Sequence, residues 1–254
     1  MSDSHRITPD TYGAVLFDLD GVLTKTAKLH AEAWAEMFDN YLRRRSEPPF
    51  VPFTDSDYDN YVDGKPRYDG VRDFLASRGI TLPDGSPGDG SGEATVCGLG
   101  NAKQQLFDTL LTERGVETFP DAMTLLQSVR AAGVKTAVVS SSKNCLAVIT
   151  AAGIADDFDV RVDGNEVEAG HLAGKPAPDT YLAAAERLGV PPARAVVVED
   201  AQSGVAAGAS GNFGMVVGVD RVGQRDALLA AGATVVVTDL ATLAPDAPDP
   251  GATA

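Results

Sequence analysis

At 254 residues, with 44% apolar and 22% charged side chains, the chain can bury a core without disulfides or a structural metal. Its formal net charge of -15 excludes nucleic acid as a partner, because no basic stripe offsets that field, yet leaves room for small phosphorylated substrates met by a local cation cluster. Cys97 and Cys145 read as free thiols, no apolar run nears the ~20 residues of a membrane span, and the polar stretch 1–9 shows no secretory signal, so a soluble, cytoplasmic protein is expected.

The first element is the apolar run Ala14-Val15-Leu16-Phe17, which reads as a short buried strand. It ends in Asp18-Leu19-Asp20-Gly21-Val22-Leu23-Thr24, placing two carboxylates at the mouth of a sheet. Carboxylates so placed serve as nucleophile, metal ligand or general acid/base. A helix is predicted over 25–45, with Leu29, Ala33, Trp34, Met37, Phe38 and Tyr41 on one apolar face and Pro48, Pro49 and Pro52 ending it. Further helices are predicted over 69–78 and 102–114. Between them, 83–92 is rich in Gly, Ser, Asp and Pro and reads as an exposed, mobile loop.

Beyond residue 120 helices and apolar strands alternate. Helices are predicted over 122–132, 144–152 and 178–188, and strands over 134–139, 195–198, 215–219 and 234–237. This alternation implies an α/β fold, a Rossmann-like parallel sheet flanked by helices. Only helices follow the first strand for about a hundred residues, which marks an α-helical cap domain inserted into the core. The core is expected at 1–24 and 100–254, with the second boundary within 95–120, and the cap at 25–99, extending to about 118. The Pro/Ala/Asp-rich tail 245–254 is expected to be disordered.

Three later motifs add chemistry to the opening acids. Ser140-Ser141-Ser142, backed by Lys143 and Asn144, ends a strand and opens a helix, an arrangement that binds phosphate or, more simply, caps the helix. Gly174-Lys175-Pro176-Ala177-Pro178 holds a lysine in a restrained loop, suited to neutralising a phosphoryl oxygen and a carboxylate. Glu199 and Asp200 end the all-valine strand. With Asp18 and the main-chain carbonyl of Asp20 they offer hard oxygen ligands suited to Mg²⁺.

These four motifs, in this order, resemble those of the haloacid dehalogenase-like phosphotransferase superfamily over nearly the whole chain. The resemblance implies that Asp18 is a nucleophile forming an aspartyl-phosphate and Asp20 the general acid/base. Ser140 and Lys175 would hold the phosphoryl group, and Glu199 and Asp200 would help hold Mg²⁺. Asp18 to Ala27, followed by His30 and Trp34, is similar to the β-phosphoglucomutase family, although Lys25 stands where that pattern has Asp. The likeness implies a hinge at Thr26 and a sugar- and acid-positioning role for His30. It also implies a distal-phosphate contact by Arg67 in Gly64-Lys65-Pro66-Arg67, sugar recognition by Lys103, and a second phosphate contact by Ser142-Lys143-Asn144. Trp34 reads equally as cap packing or sugar contact.

The implied activity is a monomeric, Mg²⁺-dependent mutase interconverting β-glucose 1-phosphate and glucose 6-phosphate through a bisphosphate. A sugar-phosphate phosphatase shares every core residue. A catalytically silent binding protein on the same fold is the third reading, and the complete acid, lysine and metal set speaks against it.

Overall fold

The computed structural model describes residues 5–45 and 50–245, so Pro48, Pro49 and positions 246–254 of the expected tail lie outside the described residues. The chain forms two compact units, Met1–Thr24 with Glu117–Ala254 and Lys25–Val116. The second boundary between the units falls at 116/117, just beyond the helix that ends at Arg114.

The first unit carries one six-stranded sheet. Its strands are β1 (Ala14–Phe17), β2 (Lys135–Val139), β3 (Val160–Val162), β4 (Ala195–Glu199), β5 (Met215–Val219) and β6 (Val235–Val237). The order is β3-β2-β1-β4-β5-β6 and every pair is parallel. β1 and β4 are buried on both faces, which explains their unbroken apolar runs. The sequence reading omits β3, a three-residue strand whose middle residue Arg161 is exposed.

The second unit is helical. α1 (Ala27–Arg44) starts two residues later than predicted and ends with Arg43 and Arg44 at its carboxyl terminus, where cations complement the helix dipole. α2 (Asp55–Asp57) is capped by Thr54 and runs into a π-helical turn at Tyr58–Val62. α3 (Arg67–Ser77) is followed by α4 (Val96–Arg114), which begins six residues before the predicted start. Gly98 and Gly100 disguise its first turns, because glycine weakens a helix. Both are there for close approach: a Cβ at Gly98 would lie 2.4 Å from the Glu93 carbonyl oxygen, and one at Gly100 2.7 Å from the Tyr68 ring.

The 83–92 loop, expected to be mobile, is exposed but tied down. Asn101 Nδ2 donates to the carbonyls of Pro87 (3.1 Å) and Asp89 (2.8 Å), and Thr95 Oγ1 donates to Asp89 Oδ2 (2.6 Å). Thr95 also caps α4 by accepting from Gly98 N at 2.9 Å. The core of this unit stacks Phe38 on Trp34, Phe53 and Phe74, with ring centroids 5.3, 5.3 and 4.1 Å away.

The remaining helices belong to the sheet unit: α5 (Pro120–Ala131), α6 (Cys145–Ala151), α7 (Gly164–Glu168), α8 (Asp179–Leu188), α9 (Gln202–Ser210) and α10 (Arg225–Ala230). Tyr181, Ala184, Ala185 and Leu188 of α8 and Ala207 of α9 cover one face of the sheet, against Ala14, Leu16, Ala137, Val139, Ala195 and Val197. α5 packs against β2 and against the closing 3-10 turn Leu240–Leu243. Asp121 fastens that turn, its Oδ2 accepting from Leu240 N (3.0 Å) and from Arg221 Nη1 (2.9 Å). No helix among the described residues is long and apolar enough to cross a membrane.

Phe38 is fully buried, so Phe38→Ala should destabilise the protein by about 3–5 kcal/mol; a loss under about 1 kcal/mol in urea denaturation would mean the aromatic stack does not hold the unit. Burial of Asp121 favours its neutral form, but the bonds from Arg221 and Leu240 N outweigh it and lower its pKa from the ordinary 3.8. A lowered carboxyl stabilises the fold above its ordinary pKa and loses that effect as the pH falls through the folded value. Asp121→Asn should therefore be less stable than the parent at pH 7, with the gap closing under acid. A gap constant from pH 7 to pH 3 would contradict this account.

Candidate active site

β1 lies between β2 and β4, and the sheet grows outward from it on both sides. At such a reversal the carboxyl ends of adjacent strands border a crevice where α/β sheets bind ligands. Asp18 follows β1, Ser140 follows β2, and Glu199 and Asp200 end β4. Gly21 makes the turn beyond Asp20 possible. Its φ is +91°, and a Cβ there would fall 1.8 Å from Asp200 Oδ2.

Lys175, on the loop before α8, is 2% exposed. Its ammonium donates to Asp18 Oδ1 (2.5 Å), Glu199 Oε1 (2.7 Å) and the Val139 carbonyl (3.1 Å). The same Glu199 oxygen accepts from Tyr181 Oη (3.1 Å), and Glu199 Oε2 accepts from Ala201 N (2.9 Å). Glu199 is thus committed to three donors. α9 passes close by only because Gly204 lacks a side chain: a Cβ there would sit 1.6 Å from Glu199 Oε1.

Burial disfavours the Lys175 ammonium, but Asp18 and Glu199 outweigh it and raise its pKa well above the ordinary value, so it stays charged. Burial pushes Asp18 well up as well. Lys175 opposes that shift, and the nearby Glu199 and Asp20 add to it. Burial and Glu199 also raise Tyr181, which keeps its hydroxyl proton to donate. Carboxylate oxygens of Asp18, Glu199 and Asp200 lie within 4.8 Å of one another. Acids this close, with Lys175 shared between two of them, form an excess of hard oxygen donors that fits a divalent cation. The Asp20 side chain lies outside this cluster.

The serine motif proves to be partly self-capping. Ser140 Oγ accepts from Ser142 N (3.0 Å), Ser142 Oγ accepts from Asn144 N (3.1 Å), and Ser140 Oγ lies 3.5 Å from Asp20 Oδ2. Ser141 is half-buried beside them. Lys143 pairs with Glu168, a partner the sequence reading did not foresee. Asn144 Nδ2 is buried and has no hydrogen-bond partner among the described residues. Tyr181 also escaped the sequence reading. The available signal was a lone aromatic hydroxyl on the apolar face of a helix two residues after Asp179.

In the helical unit, the Gly64–Arg67 and Gly100–Lys103 segments lie side by side. Arg67 donates to Gln104 Oε1, and Tyr68 Oη donates to Asn101 Oδ1 (3.1 Å). Gly64 occupies the turn before α3 with φ +67°. Thr26 is buried at the start of α1, where its carbonyl accepts from His30 N (2.9 Å). Lys103 is buried, donates to His30 Nδ1, and lies 5.2 and 4.8 Å from the ring centroids of Trp34 and Phe107. His30 stacks on Phe107 at 3.9 Å. Trp34 is 4% exposed within the aromatic core, so of its two readings the structure favours packing.

A family model described as haloacid dehalogenase-like hydrolase matches residues 12–212. The chain is 52% identical over 242 residues to proteins named β-phosphoglucomutase from Mycobacterium bovis and Mycobacterium tuberculosis, covering 92% of this chain and 92% of each relative. It is 30% identical over 227 residues to a phosphorylated carbohydrates phosphatase from Thermotoga maritima, covering 88% of this chain and 93% of that protein. A crystal structure of β-phosphoglucomutase from Clostridium difficile superposes with a TM-score of 0.74 at 25% identity, covering 91% and 93% of the two chains.

Lys175→Met should cost about 3–5 kcal/mol of stability at neutral pH, because it strands two buried carboxylates. Adding Glu199→Gln to that variant should recover part of the loss, since only one acid is then left uncompensated. Strictly additive effects in a double-mutant cycle would refute the coupling.

Proposed function

The chain belongs to the haloacid dehalogenase-like hydrolase family, and we propose that within it the protein is a β-phosphoglucomutase, interconverting β-D-glucose 1-phosphate and D-glucose 6-phosphate. The observation that carries this reading is the 52% identity to the mycobacterial β-phosphoglucomutases, which runs through both units. Phosphatases and mutases share the acid-bearing sheet, so likeness confined to that unit would not separate them. Likeness to the phosphatase also extends over the helical unit, so it is the degree of identity, 52% against 30%, that favours the mutase.

In this reading an Asp18 carboxylate oxygen attacks phosphorus, and the P–O bond to the sugar breaks as Asp20 protonates the departing oxygen. With a trace of glucose 1,6-bisphosphate as that first donor, Asp20 then takes the proton from the 6-hydroxyl of an incoming β-glucose 1-phosphate as this hydroxyl attacks the aspartyl-phosphate. The glucose 1,6-bisphosphate so formed reorients and returns its 1-phosphate to Asp18, releasing glucose 6-phosphate. Lys175 and Ser140 steady the phosphoryl oxygens, and the buried Asn144 Nδ2, a donor without a partner among the described residues, is assigned to the second phosphate. Mg²⁺, held by Asp18, Asp200 and the main-chain carbonyl of Asp20 with Glu199 beside them, would neutralise charge on the transferring group and keep Asp18 ionised. Glu199, already bound by three donors, chiefly orients Lys175. In the helical unit Arg67 is assigned to the distal phosphate, Lys103 and His30 to the sugar, and Thr26 to a hinge. The enzyme is taken to act as a cytoplasmic monomer.

The second reading, a sugar-phosphate phosphatase, is favoured by the 30% identity to the Thermotoga maritima phosphatase. The two differ in whether a sugar hydroxyl or water attacks the aspartyl-phosphate. With β-glucose 1-phosphate, Mg²⁺ and a trace of glucose 1,6-bisphosphate, glucose 6-phosphate should form well ahead of inorganic phosphate. Asp18→Asn should lower kcat by at least about 10³-fold, and chelation should stop turnover until Mg²⁺ is restored. Inorganic phosphate as the main product would replace the mutase with the phosphatase.

A further inference from the structure

The loop after β5 reaches back to the turn that carries Asp20. Arg221, two residues beyond that strand, donates from Nε to the Gly21 carbonyl (3.3 Å) and from Nη2 to the Val22 carbonyl (3.4 Å). Its Nη1 donates to Asp121 Oδ2 (2.9 Å), and its guanidinium carbon lies 3.9 Å from the centroid of the Phe119 ring. One planar fork therefore ties the two residues that follow Asp20 to the start of α5. The Arg221 and Asp121 side chains are only 15% and 18% exposed.

The loop supplying Arg221 is itself braced. Asp220 Oδ1 accepts from Gly223 N (2.6 Å) and Gln224 N (2.8 Å), and Gln224 Nε2 donates to the Asp200 carbonyl (2.8 Å). Gly21 is thus held from two sides, by Arg221 at its carbonyl and by the Asp200 carboxylate against its Cα. Each carbonyl contact is long and weak by itself. Their common donor is rigid, charged and anchored by a carboxylate and an aromatic face, which fixes direction better than a lysine would.

We propose that Arg221 is a positioning residue for Asp20, holding the Gly21–Val22 turn so that the Asp20 carboxyl reaches the ester oxygen of the substrate. The proposal rests on the acid/base role assigned to Asp20 above. In the step concerned, Asp18 forms its bond to phosphorus as the P–O ester bond breaks. The electron pair of that bond goes to the sugar oxygen, which takes the proton from Asp20 and leaves it as a carboxylate. A sugar alkoxide needs this proton to depart, whereas acetate, leaving from acetyl phosphate, does not. Arg221 should accordingly matter for the first donor and not for the second. A side chain that merely supported the fold would affect both alike.

The test compares the full-length parent, Arg221→Met and Arg221→Lys with Mg²⁺, using glucose 1,6-bisphosphate and acetyl phosphate as alternative phosphoryl donors and reading the single-turnover rate at which Asp18 becomes phosphorylated, before any acceptor attacks. For Arg221→Met, the phosphorylation rate with the sugar bisphosphate should fall about 10- to 100-fold and the half-saturating donor concentration should stay within about 2-fold, as expected for a misplaced proton donor. Phosphorylation of Asp18 by acetyl phosphate should remain within about 2-fold of the parent. Arg221→Lys, which keeps charge opposite Asp121 but cannot bridge both carbonyls, should show the same selectivity at smaller amplitude, and it carries the test if the methionine variant does not fold. Equal falls with both donors, or no fall with either, would overturn the proposal. Asp20→Asn, run alongside, separates the premise from the inference. It should show the same donor selectivity more strongly, and a uniform loss in that variant would remove the acid/base role of Asp20 itself.

Discussion

The ammonium of Lys175, buried between Asp18 and Glu199, is the contact on which the arrangement of the strand ends depends. Carboxylates from the ends of two neighbouring parallel strands repel each other in a low-dielectric interior, and taking them out of water is costly. A shared cation makes their approach tolerable, and its third bond, to the Val139 carbonyl, brings the end of β2 into the same cluster. The surroundings are shaped to that purpose. Tyr181 and Ala201 N also donate to Glu199, and Gly204 leaves room for its carboxylate. Removing charge from this centre therefore disturbs packing and electrostatics together.

The helical unit uses a buried lysine differently. Lys103 sits among an imidazole and two aromatic faces, in a unit whose core is unusually rich in stacked rings. Such rings give a small unit much buried area for few residues. Phe107 also fixes the plane of the His30 ring, so the polar groups of this unit are held by its hydrophobic core.

Much of the sheet unit was legible in the sequence because parallel strands announce themselves as short unbroken apolar runs. β1 and β5 match their predicted spans, and strand-end reasoning leads to Asp18, Ser140, Glu199 and Asp200, all found at carboxyl ends. What stayed hidden has physical reasons. β3 is too short to show a pattern. α9 is mostly Gly, Ala and Ser, with Val205 its one larger apolar residue, so it carries no stripe of large apolar residues, and the start of α4 is masked by glycines that serve close packing. The 83–92 loop looks mobile by composition, yet its order comes from Asn101 and Thr95, which lie outside it. Tyr181 and Arg221 act through contacts distant in sequence, from Glu199 and from Gly21 and Val22, and no local spacing reveals them.

The chain leaves the sheet unit and re-enters it at neighbouring points: Thr24 bridges Thr118, and Phe119 N donates to the Leu23 carbonyl at 3.0 Å. β1 meanwhile pairs only with β2 and β4, both encoded on the far side of the helical unit. On the ribosome, the first strand thus emerges with no partner to pair with, whereas the contiguous helical unit can complete its local contacts early. The order of synthesis lets the helical unit complete its contacts before the sheet can form. The acid-bearing turn after β1 is assembled only when β4, the last of its two partner strands, arrives.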